Sequence, residues 1–427
     1  MIDALDPRPH GEGALRAIGL ATTATTFLVL SLLAACGDSS SASPNDPRIE
    51  LEDGWIVVVQ IRGGDEVTAA ILVEDPTADG DLDLSDGLSI PGRGEVFASP
   101  FEDGVIFALD GEAPRLTRYR VSPSGQFEEE GTLAFLSFTP PRNFVPSSFP
   151  FASETKGYII DPLGAQVIIY DPTTMTTIGT VDVPTDLVPG LDFFPAIGYD
   201  VLRLQGHILV SVGFINTAAE VISPRSLILL LDPETDTIDR VFSTETCGYL
   251  RHGRLTANGS VLLGSDVFTT SLEWTSEGLE GGPVCVLRIN SDLEVTAVAP
   301  PNALTDDVPG GTFIFVSDTA AFVRVLDESA APPRPITSFE LNAGSYWRWG
   351  FISGIGSEPT FRLVDESPLS PAFSTATERF DEDRRLVIDR GVDLSSTTIV
   401  QLRPDGSFTP GLRSTQIITN VFPVSLR

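Results

Sequence analysis

The sequence predicts an all-β fold, a seven-bladed β-propeller in which the C-terminal strand closes the first blade. Beyond residue 48, short β-branched runs alternate with turn residues, and no long helical period occurs. One strand-turn-strand pattern recurs seven times, and an apolar stretch that belongs to no copy ends the chain. Because β-sandwiches also give evenly spaced short strands, a pair of sandwiches is the alternative fold.

The repeated unit is clearest from Gly157 to Pro184, where the sequence reads GYIIDPLGAQVIIYDPTTMTTIGTVDVP. YIID and VIIYD are two strong strands, DPTTM is a hairpin turn and TIGTVDV returns. Proline presets the first turn position, and aspartate accepts backbone N–H groups there. The other copies are Trp55–Leu84, Gly104–Phe135, Ile208–Ser243, Ser260–Ala299, Thr312–Leu341 and Arg385–Ser414. Each copy shows three strands, and a fourth strand in the preceding linker would complete a propeller blade.

The two ends of this repeat array predict how the ring closes. After the seventh copy, Gln416–Val424 reads QIITNVFPV, a strand with no unit of its own. The first copy has almost nothing before Trp55 that could serve as its inner strand. We therefore expect the tail to supply that strand, because the pairing removes an open sheet edge.

The N-terminal segment predicts export and lipidation. Ala17–Ala35 is an uncharged, largely apolar run that follows Arg16, and this order is typical of a secretion signal. The tetrapeptide Leu33–Cys36 resembles the bacterial lipobox, in which the cysteine accepts a diacylglycerol and the peptide is cut before it. We expect residues 1–35 to be a lipoprotein signal peptide and Cys36 to be lipidated. A transmembrane anchor is the alternative, since the run could nearly span a bilayer.

Residues 36–47 predict a flexible tether, and residues 48–427 the propeller domain. The sequence after Cys36, GDSSSASPNDP, has no large apolar side chain and cannot pack. The formal net charge of the chain is −32, which excludes nucleic acid as a partner because the phosphate backbone would be repelled. The acidic residues are spread along the sequence and do not form blocks of like charge, which favours solubility as their role.

The cysteines predict a disulfide. If Cys36 carries lipid, only Cys247 and Cys285 remain, and two leftover thiols outside the cytoplasm usually pair. Two buried free thiols are the alternative.

The segment Asp75–Asp86, DPTADGDLDLSD, is the best candidate for a cation site. Its oxygen-bearing side chains alternate around Gly80, which suits calcium. The candidate calcium ligands are Asp75, Thr77, Asp79, Asp81, Asp83 and Asp86. The alternative is an ordinary hairpin turn, because DPTT and DPET turns recur in the chain without the additional acids.

Two further clusters are candidates for ligand binding. In SYWRWGF, Trp347 and Trp349 alternate with Arg348, so a strand would place the aromatic side chains on one face and the cation on the other. Trp and Arg anchor ligands, but packing between blades is the competing interpretation.

The second cluster is basic. Arg251, His252 and Arg254 precede a strong strand, as Arg142 does in its own unit. Such linkers meet at one rim of a propeller channel, where these side chains could form a basic patch on an acidic protein. The alternative is that they are ordinary solvated loop residues.

The repeat GYIID…VIIYDPTTMTTIGTVDVP, the spacing Cys247…His252-Gly253…Cys285-Val-Leu-Arg and the lipobox together resemble a group of bacterial propeller lipoproteins. Some of these are encoded beside siderophore genes, as in the myxochelin iron-transport cluster of myxobacteria. The resemblance implies an extracytoplasmic binding or accessory role, with a link to iron-siderophore transport. It brings no catalytic residue.

The sequence therefore favours a lipid-anchored, non-enzymatic binding or scaffold protein in the periplasm or at the outer membrane. Its expected partners are the membrane, through the lipid, and a protein or small-molecule ligand. The competing class is a metal-dependent, lactonase-like propeller hydrolase, whose channel metal would be held by acids and amides. Asn143, Asp200, Asn258 and Asp306 are the residues that such an enzyme could use.

Overall fold

The computed structural model describes thirteen stretches of the chain. These are residues 52–61, 66–135, 144–161, 164–183, 193–216, 221–245, 247–275, 285–299, 303–365, 367–372, 377–379, 385–391 and 396–427. The predicted signal peptide, Cys36, the tether and Arg142 lie outside the described residues. None of the described helices is long and apolar enough to cross a membrane.

The described strands form seven sheets, which are the blades of a propeller. Blade 1 contains β1 (Asp53–Ile61), β2 (Val67–Val73) and β4 (Leu88–Pro91), with β3 (Gly80–Asp81) between the last two in sequence. Blade 2 contains β5 (Glu95–Ala98), β6 (Val105–Leu109), β7 (Arg115–Val121) and β8 (Phe127–Ala134). Blade 3 contains β9 (Phe151–Ser153), β10 (Lys156–Asp161), β11 (Gln166–Asp171) and β12 (Thr176–Asp182). Blade 4 contains β13 (Phe194–Ile197), β14 (Leu202–Leu204), β15 (His207–Asn216), β16 (Val221–Ile222), β17 (Ser226–Asp232) and β18 (Thr237–Thr244).

The remaining blades follow the same plan. Blade 5 contains β19 (Leu250–Leu255), β20 (Val261–Ser265), β21 (Val286–Ile289) and β22 (Val295–Ala297). Blade 6 contains β23 (Gly310–Phe315), β24 (Ala320–Leu326), β25 (Trp347–Ser353) and β26 (Thr360–Leu363). Blade 7 contains β27 (Thr377–Arg379), β28 (Arg385–Arg390), β29 (Thr397–Leu402) and β30 (Phe408–Ser414), and β31 (Ile417–Ser425) joins blade 1. The described helices are α1 (Val267–Thr275) and α2 (Ser338–Ala343), with 3-10 turns at Pro146–Ser148 and Ala303–Thr305.

In blades 2, 3, 5, 6 and 7, strands that are consecutive in sequence are neighbours and the first strand is innermost, whereas β31 is the innermost strand of blade 1. The inner strands contact their counterparts in adjacent blades, as β19 contacts β23 and β31 contacts β5 and β27. Blade 4 departs from this plan because its inner strand is divided into β13 and β14, both of which pair with β15.

The predicted closure of the ring is confirmed. β31 lies antiparallel to β1 with a register that runs from Asp53↔Ser425 to Gln60↔Ile417. It is thus the inner strand of blade 1, whose order is β31-β1-β2-β4.

The strand alternation of β1 explains the core. Ile56 and Val58 point towards blade 2 and share a cluster with Ile106, whereas Val57 and Val59 point towards blade 7. All four side chains are fully buried. Because each blade buries both faces between its neighbours, its middle strands are continuously apolar.

Two of the predicted copies differ from the structure. In the copy Thr312–Leu341, TFIFV is the inner strand β23 and AFVRVL is β24, so the copy begins one strand too early. Its supposed third strand contains α2, which a capping box between Thr337 and Glu340 initiates. In the first copy, Gly80–Asp81 pairs with β30 of blade 7 instead of completing its own blade.

The predicted disulfide between Cys247 and Cys285 is confirmed. Their Cα atoms lie 5.8 Å apart, and both side chains are buried in the apolar core that blades 4 and 5 share. The bridge ties the start of the inner strand β19 to the start of β21 in the same blade.

Deletion of residues 415–427 should destabilise the whole domain in one cooperative transition. The deletion removes β31 and exposes the inner edge of β1, together with the apolar faces of blades 1, 2 and 7. Thermal unfolding followed by circular dichroism measures the effect. The control is Pro423→Ala, which alters an exposed residue of the same strand and should leave the midpoint nearly unchanged. A truncated protein that melts like wild type would contradict the closure.

Replacing either bridged cysteine with serine should lower the free energy of unfolding by about 4 kcal/mol, since the bridge closes a loop of 38 residues. Cys247→Ser, Cys285→Ser and the double variant should lose the same amount, because each of them removes the one bridge. Denaturant titration with and without reductant provides the measurement. If reductant leaves the stability of wild type unchanged, the bridge does not stabilise the protein and the prediction is wrong.

Candidate binding site at the centre of the ring

The gap between β13 and β14 brings part of blade 4 against blade 5. The backbone N–H of Tyr199 donates to the carbonyl oxygen of Arg251, and the Asp200 carboxylate accepts the N–H of Gly253 at 2.8 Å. Gly198 permits this close approach, because a Cβ atom there would lie 3.1 Å from the Arg251 carbonyl oxygen of blade 5 and 2.2 Å from the Ser211 hydroxyl oxygen of its own blade. The interrupted inner strand thus places Tyr199 next to β19.

A β-bulge in β19 presents two consecutive side chains to Tyr199. Leu250 pairs with Ser265 but His252 pairs with Gly264, so Arg251 is the extra residue. The preceding Tyr249 has a φ of 53°, a left-handed conformation that aromatic residues rarely adopt. Bulges and strained residues of this kind re-aim side chains and concentrate at functional sites.

The Arg251 guanidinium is held by two tyrosines. Its Cζ lies 4.2 Å from the centroid of the Tyr199 ring and 5.2 Å from that of Tyr249, within cation–π range. Nη1 donates to the Tyr249 hydroxyl at 3.1 Å. The residue is only 7% exposed, and its Nε has no hydrogen-bond partner among the described residues. A buried charge with an unused donor is unusual in a folded protein.

His252 lies on the same side of the bulge. Its ring stacks on that of Tyr199 at 4.9 Å, and it is 1% exposed. Neither ring nitrogen has a hydrogen-bond partner within the described part of the chain, and Nδ1 lies 3.8 Å from the Asp200 carboxylate. Burial, with help from the positive charges of Arg251 and Arg385, lowers the pKa of His252 to about 3. The neutral imidazole offers one donor and one acceptor.

Electrostatic effects link this site to blades on the other side of the ring. Burial raises the pKa of Tyr199. Among the charges that act on this pKa, Arg390 of blade 7 lowers it and Glu95 of blade 2 raises it. Burial also raises the pKa of Glu95 to about 8 and that of Tyr249 to about 12. At neutral pH, Glu95 is therefore mostly a protonated carboxyl group that can donate a hydrogen bond.

Asp266 completes the surroundings of the site. Burial raises the pKa of its carboxyl group, while Arg251, the Phe268 N–H and the Thr312 hydroxyl oppose the rise. The Phe268 N–H donates to one carboxylate oxygen at 3.0 Å and the Thr312 hydroxyl to the other at 3.3 Å. Thr312 lies in a bulge of β23 and has a φ of 57°. A second bulged inner strand thus supports the site from blade 6.

The predicted basic cluster does not act as one group, because only Arg251 and His252 among its described members lie at the site. Arg251 and His252 lie in the inner strand β19, which is the fourth strand that the sequence places in this linker. Arg254, on the same strand, forms an ion pair with Asp318 at 3.2 Å. Arg142 is outside the described residues.

The predicted alternation of SYWRWGF is present in β25. Trp347 and Trp349 are fully buried, and Trp349 stacks on the guanidinium of Arg324 at 4.0 Å. Arg348 faces the other way and pairs with Asp327 at 2.9 Å. Both indoles belong to apolar clusters of the core.

The candidate calcium ligands Asp75, Thr77, Asp79, Asp81, Asp83 and Asp86 are not brought together around a common point. Asp75 accepts the N–H of Thr77 at 2.8 Å, and Asp83 accepts that of Ser85 at 3.0 Å, as in ordinary turns. Asp79 and Asp81 lie beside Arg413. Within the described stretches, no group of three or more His, Cys, Asp or Glu side chains could hold a metal ion.

Sequence reasoning missed Tyr199, Tyr249, Glu95 and Asp266. The only signal for Tyr199 was its place in Gly-Tyr-Asp, a turn-like interruption between two short apolar runs. Tyr249 and Asp266 flank strands of blade 5 and Glu95 lies in blade 2, and the three have no shared local motif.

No family model and no curated protein matches the chain. Among solved structures, a hypothetical selenium-binding protein of Sulfolobus tokodaii is 10% identical over 87% of this chain and 92% of its own, with a TM-score of 0.50. The periplasmic gluconolactonase of Pseudomonas aeruginosa is 13% identical over 88% and 99%, with a TM-score of 0.48. A protein of Lactobacillus plantarum is 10% identical over 85% and 98%, also at 0.48. Likeness at this level of identity establishes the fold alone.

Glu95→Gln should stabilise the protein at pH 8 and not at pH 4.5. The folded carboxyl group holds its proton up to pH 8, while the unfolded one releases it above about pH 4.5. Wild type therefore loses stability as pH rises across this window, and the variant gains on the order of 3 kcal/mol relative to wild type by pH 8. Denaturant midpoints at both pH values test this.

Glu128→Gln is the matched control, because Glu128 is exposed on β8 and its replacement should have the same effect at both pH values. A Glu95→Gln variant that unfolds like wild type at pH 8 would show that Glu95 ionises there without penalty.

Proposed function

We propose that the protein is a lipid-anchored, extracytoplasmic β-propeller that binds a ligand or partner at the centre of its ring and performs no chemistry on it. The observation that carries this proposal is the buried cluster of Arg251, His252, Tyr199 and Tyr249. Its guanidinium and imidazole groups keep nitrogen atoms without hydrogen-bond partners among the described residues.

Binding is favoured by how the cluster is built. Burying an arginine and a histidine without full hydrogen bonding costs free energy, and folded proteins normally avoid it. Here the bulged strand β19 and the rings of Tyr199 and Tyr249 fix both groups in place before any partner arrives. Groups held rigidly in this way lose little entropy when they bind. Arginine and tyrosine are also the residue types that dominate binding energy at interfaces.

The anchor and the compartment are proposed from the sequence. The uncharged run before Cys36 and the lipobox-like Leu33–Cys36 support lipidation, and the tether of residues 36–47 would separate lipid and domain. The periplasm or the outer membrane is the proposed location. A role as an accessory to iron-siderophore transport rests on the resemblance to propeller lipoproteins of siderophore gene clusters.

A metal-dependent, lactonase-like hydrolase is the second candidate. The observation in its favour is the pair of His252 and Asp200, whose Nδ1 and carboxylate oxygen lie 3.8 Å apart at the ring centre. Both atoms are of the kind that bind metal ions. Elemental analysis of the purified protein separates the two candidates. One metal ion per chain that is lost in His252→Gln would favour the hydrolase, and a metal-free protein that binds its ligand would favour the binding function.

Cys36→Ser should prevent lipidation, so that the protein becomes soluble or stays unprocessed. The hydroxyl group of serine does not replace the thiol that accepts the lipid. Fractionation of cells followed by mass spectrometry of the N-terminal peptide gives the measurement. Cys285→Ser is the control, since it also replaces a cysteine with serine but should stay with the membrane. A Cys36→Ser protein that is cleaved and membrane-bound like wild type would overturn the anchor.

A further inference from the structure

We infer that the cluster around Arg251 binds a small oxyanion, a carboxylate or a phosphate group, with the Arg251 guanidinium as its main donor. This inference deepens the proposed function and rests on the centre of the ring being the binding site. It names the chemical class of the ligand and the group that recognises it.

The hydrogen bonding of Arg251 is the first argument. A guanidinium has five N–H donors in one plane, and it pairs with the two oxygens of a carboxylate or phosphate. In Arg251, Nη1 donates to the Tyr249 hydroxyl, while Nε donates to none of the described residues. The ring of Tyr199 covers a face of the guanidinium, so further partners must approach in its plane.

The charge around Arg251 is the second argument. No ion pair to Arg251 forms among the described residues, and the carboxylate that attracts it, Asp266, is bound to the Phe268 N–H and the Thr312 hydroxyl. Arg385 adds positive charge, since it acts on His252. The Arg251 guanidinium thus lies buried against Tyr199 in a chain whose net charge is −32. An anion would find its compensating charge here and not on the acidic exterior.

The neighbouring groups supply further donors. His252 is buried, neither of its ring nitrogens has a hydrogen-bond partner among the described residues, and as a neutral imidazole it carries one N–H. Asp200, the carboxylate nearest to it, already accepts the N–H of Gly253. One guanidinium edge and one imidazole N–H beside the same tyrosine ring suit the several lone pairs of a single oxyanion.

The test is isothermal titration calorimetry on the full chain purified in detergent, at pH 6.5 and constant ionic strength. Citrate is the carboxylate probe and inorganic phosphate is the phosphate probe. At least one of them should bind, and the one that binds identifies the source of the oxyanion. Arg251→Gln should weaken its binding by a factor of about ten or more, because a charge-assisted pair is lost. Arg240→Gln, an exposed arginine on the outer strand β18, should bind within about twofold of wild type.

A second variant guards against misfolding. Arg251→Lys keeps the charge but loses the planar fork, so it should fold and bind with an intermediate affinity. Near-ultraviolet circular dichroism confirms that each variant is folded.

Folded wild type that binds neither probe at millimolar concentration would overturn the oxyanion inference, as would equal affinity in folded Arg251→Gln. Both results leave the lipid anchor untouched, because cell fractionation of Cys36→Ser tests it separately. Binding of another ligand that Arg251→Gln does not weaken would keep the binding function and reject the inferred class.

Discussion

The pairing of β31 with β1 is the constraint on which the rest of the structure depends. The last strand, β31, returns to the first blade and joins it to the end of the seventh over eight paired positions. The pairing covers the inner edge of β1. It also fixes the distance between blades that are far apart in sequence, so that Glu95 of blade 2 and Arg390 of blade 7 both act on Tyr199 of blade 4.

The site arises where the regular blades are interrupted. The break between β13 and β14, the bulge at Arg251 and the left-handed Tyr249 all lie where the inner strands of blades 4 and 5 meet. Each irregularity costs stability, and the surrounding packing must offset it. The apolar core that blades 4 and 5 share lies beside this point, and the disulfide of blade 5 is buried in that core. This packing keeps the strained backbone in one conformation.

The sequence predicted the repeating parts of this molecule better than its site. The seven units, the closing strand and the Cys247–Cys285 bridge follow from local patterns and from the count of strands and thiols. The predicted start of the sixth unit was one strand too early, because TFIFV and AFVRVL are equally apolar. The long connection between β24 and β25 also separated the third strand from the other two in sequence. Arg251 and His252 were predicted to lie in a linker at the rim of the channel, either as part of a basic patch or as solvated loop residues. Their burial depends on a bulge with no residue signature and on Tyr199 from another blade.

The glutamates of blade 2 show how the surroundings of a carboxyl group decide its charge. On blade 2, Glu102 and Glu130 are bound by Arg118 and Arg120, which hold the pKa of both carboxyl groups below the usual range despite partial burial. Glu95, in the same blade, has no such partner in the described part of the chain, so burial alone raises its pKa and the group mostly keeps its proton at neutral pH. Glu102 and Glu130 therefore stay ionised beside their arginines, whereas Glu95 is mostly neutral. Because the guanidinium groups stay charged at any physiological pH, the local balance of charge depends on whether each carboxyl group is paired or only buried, and not on composition.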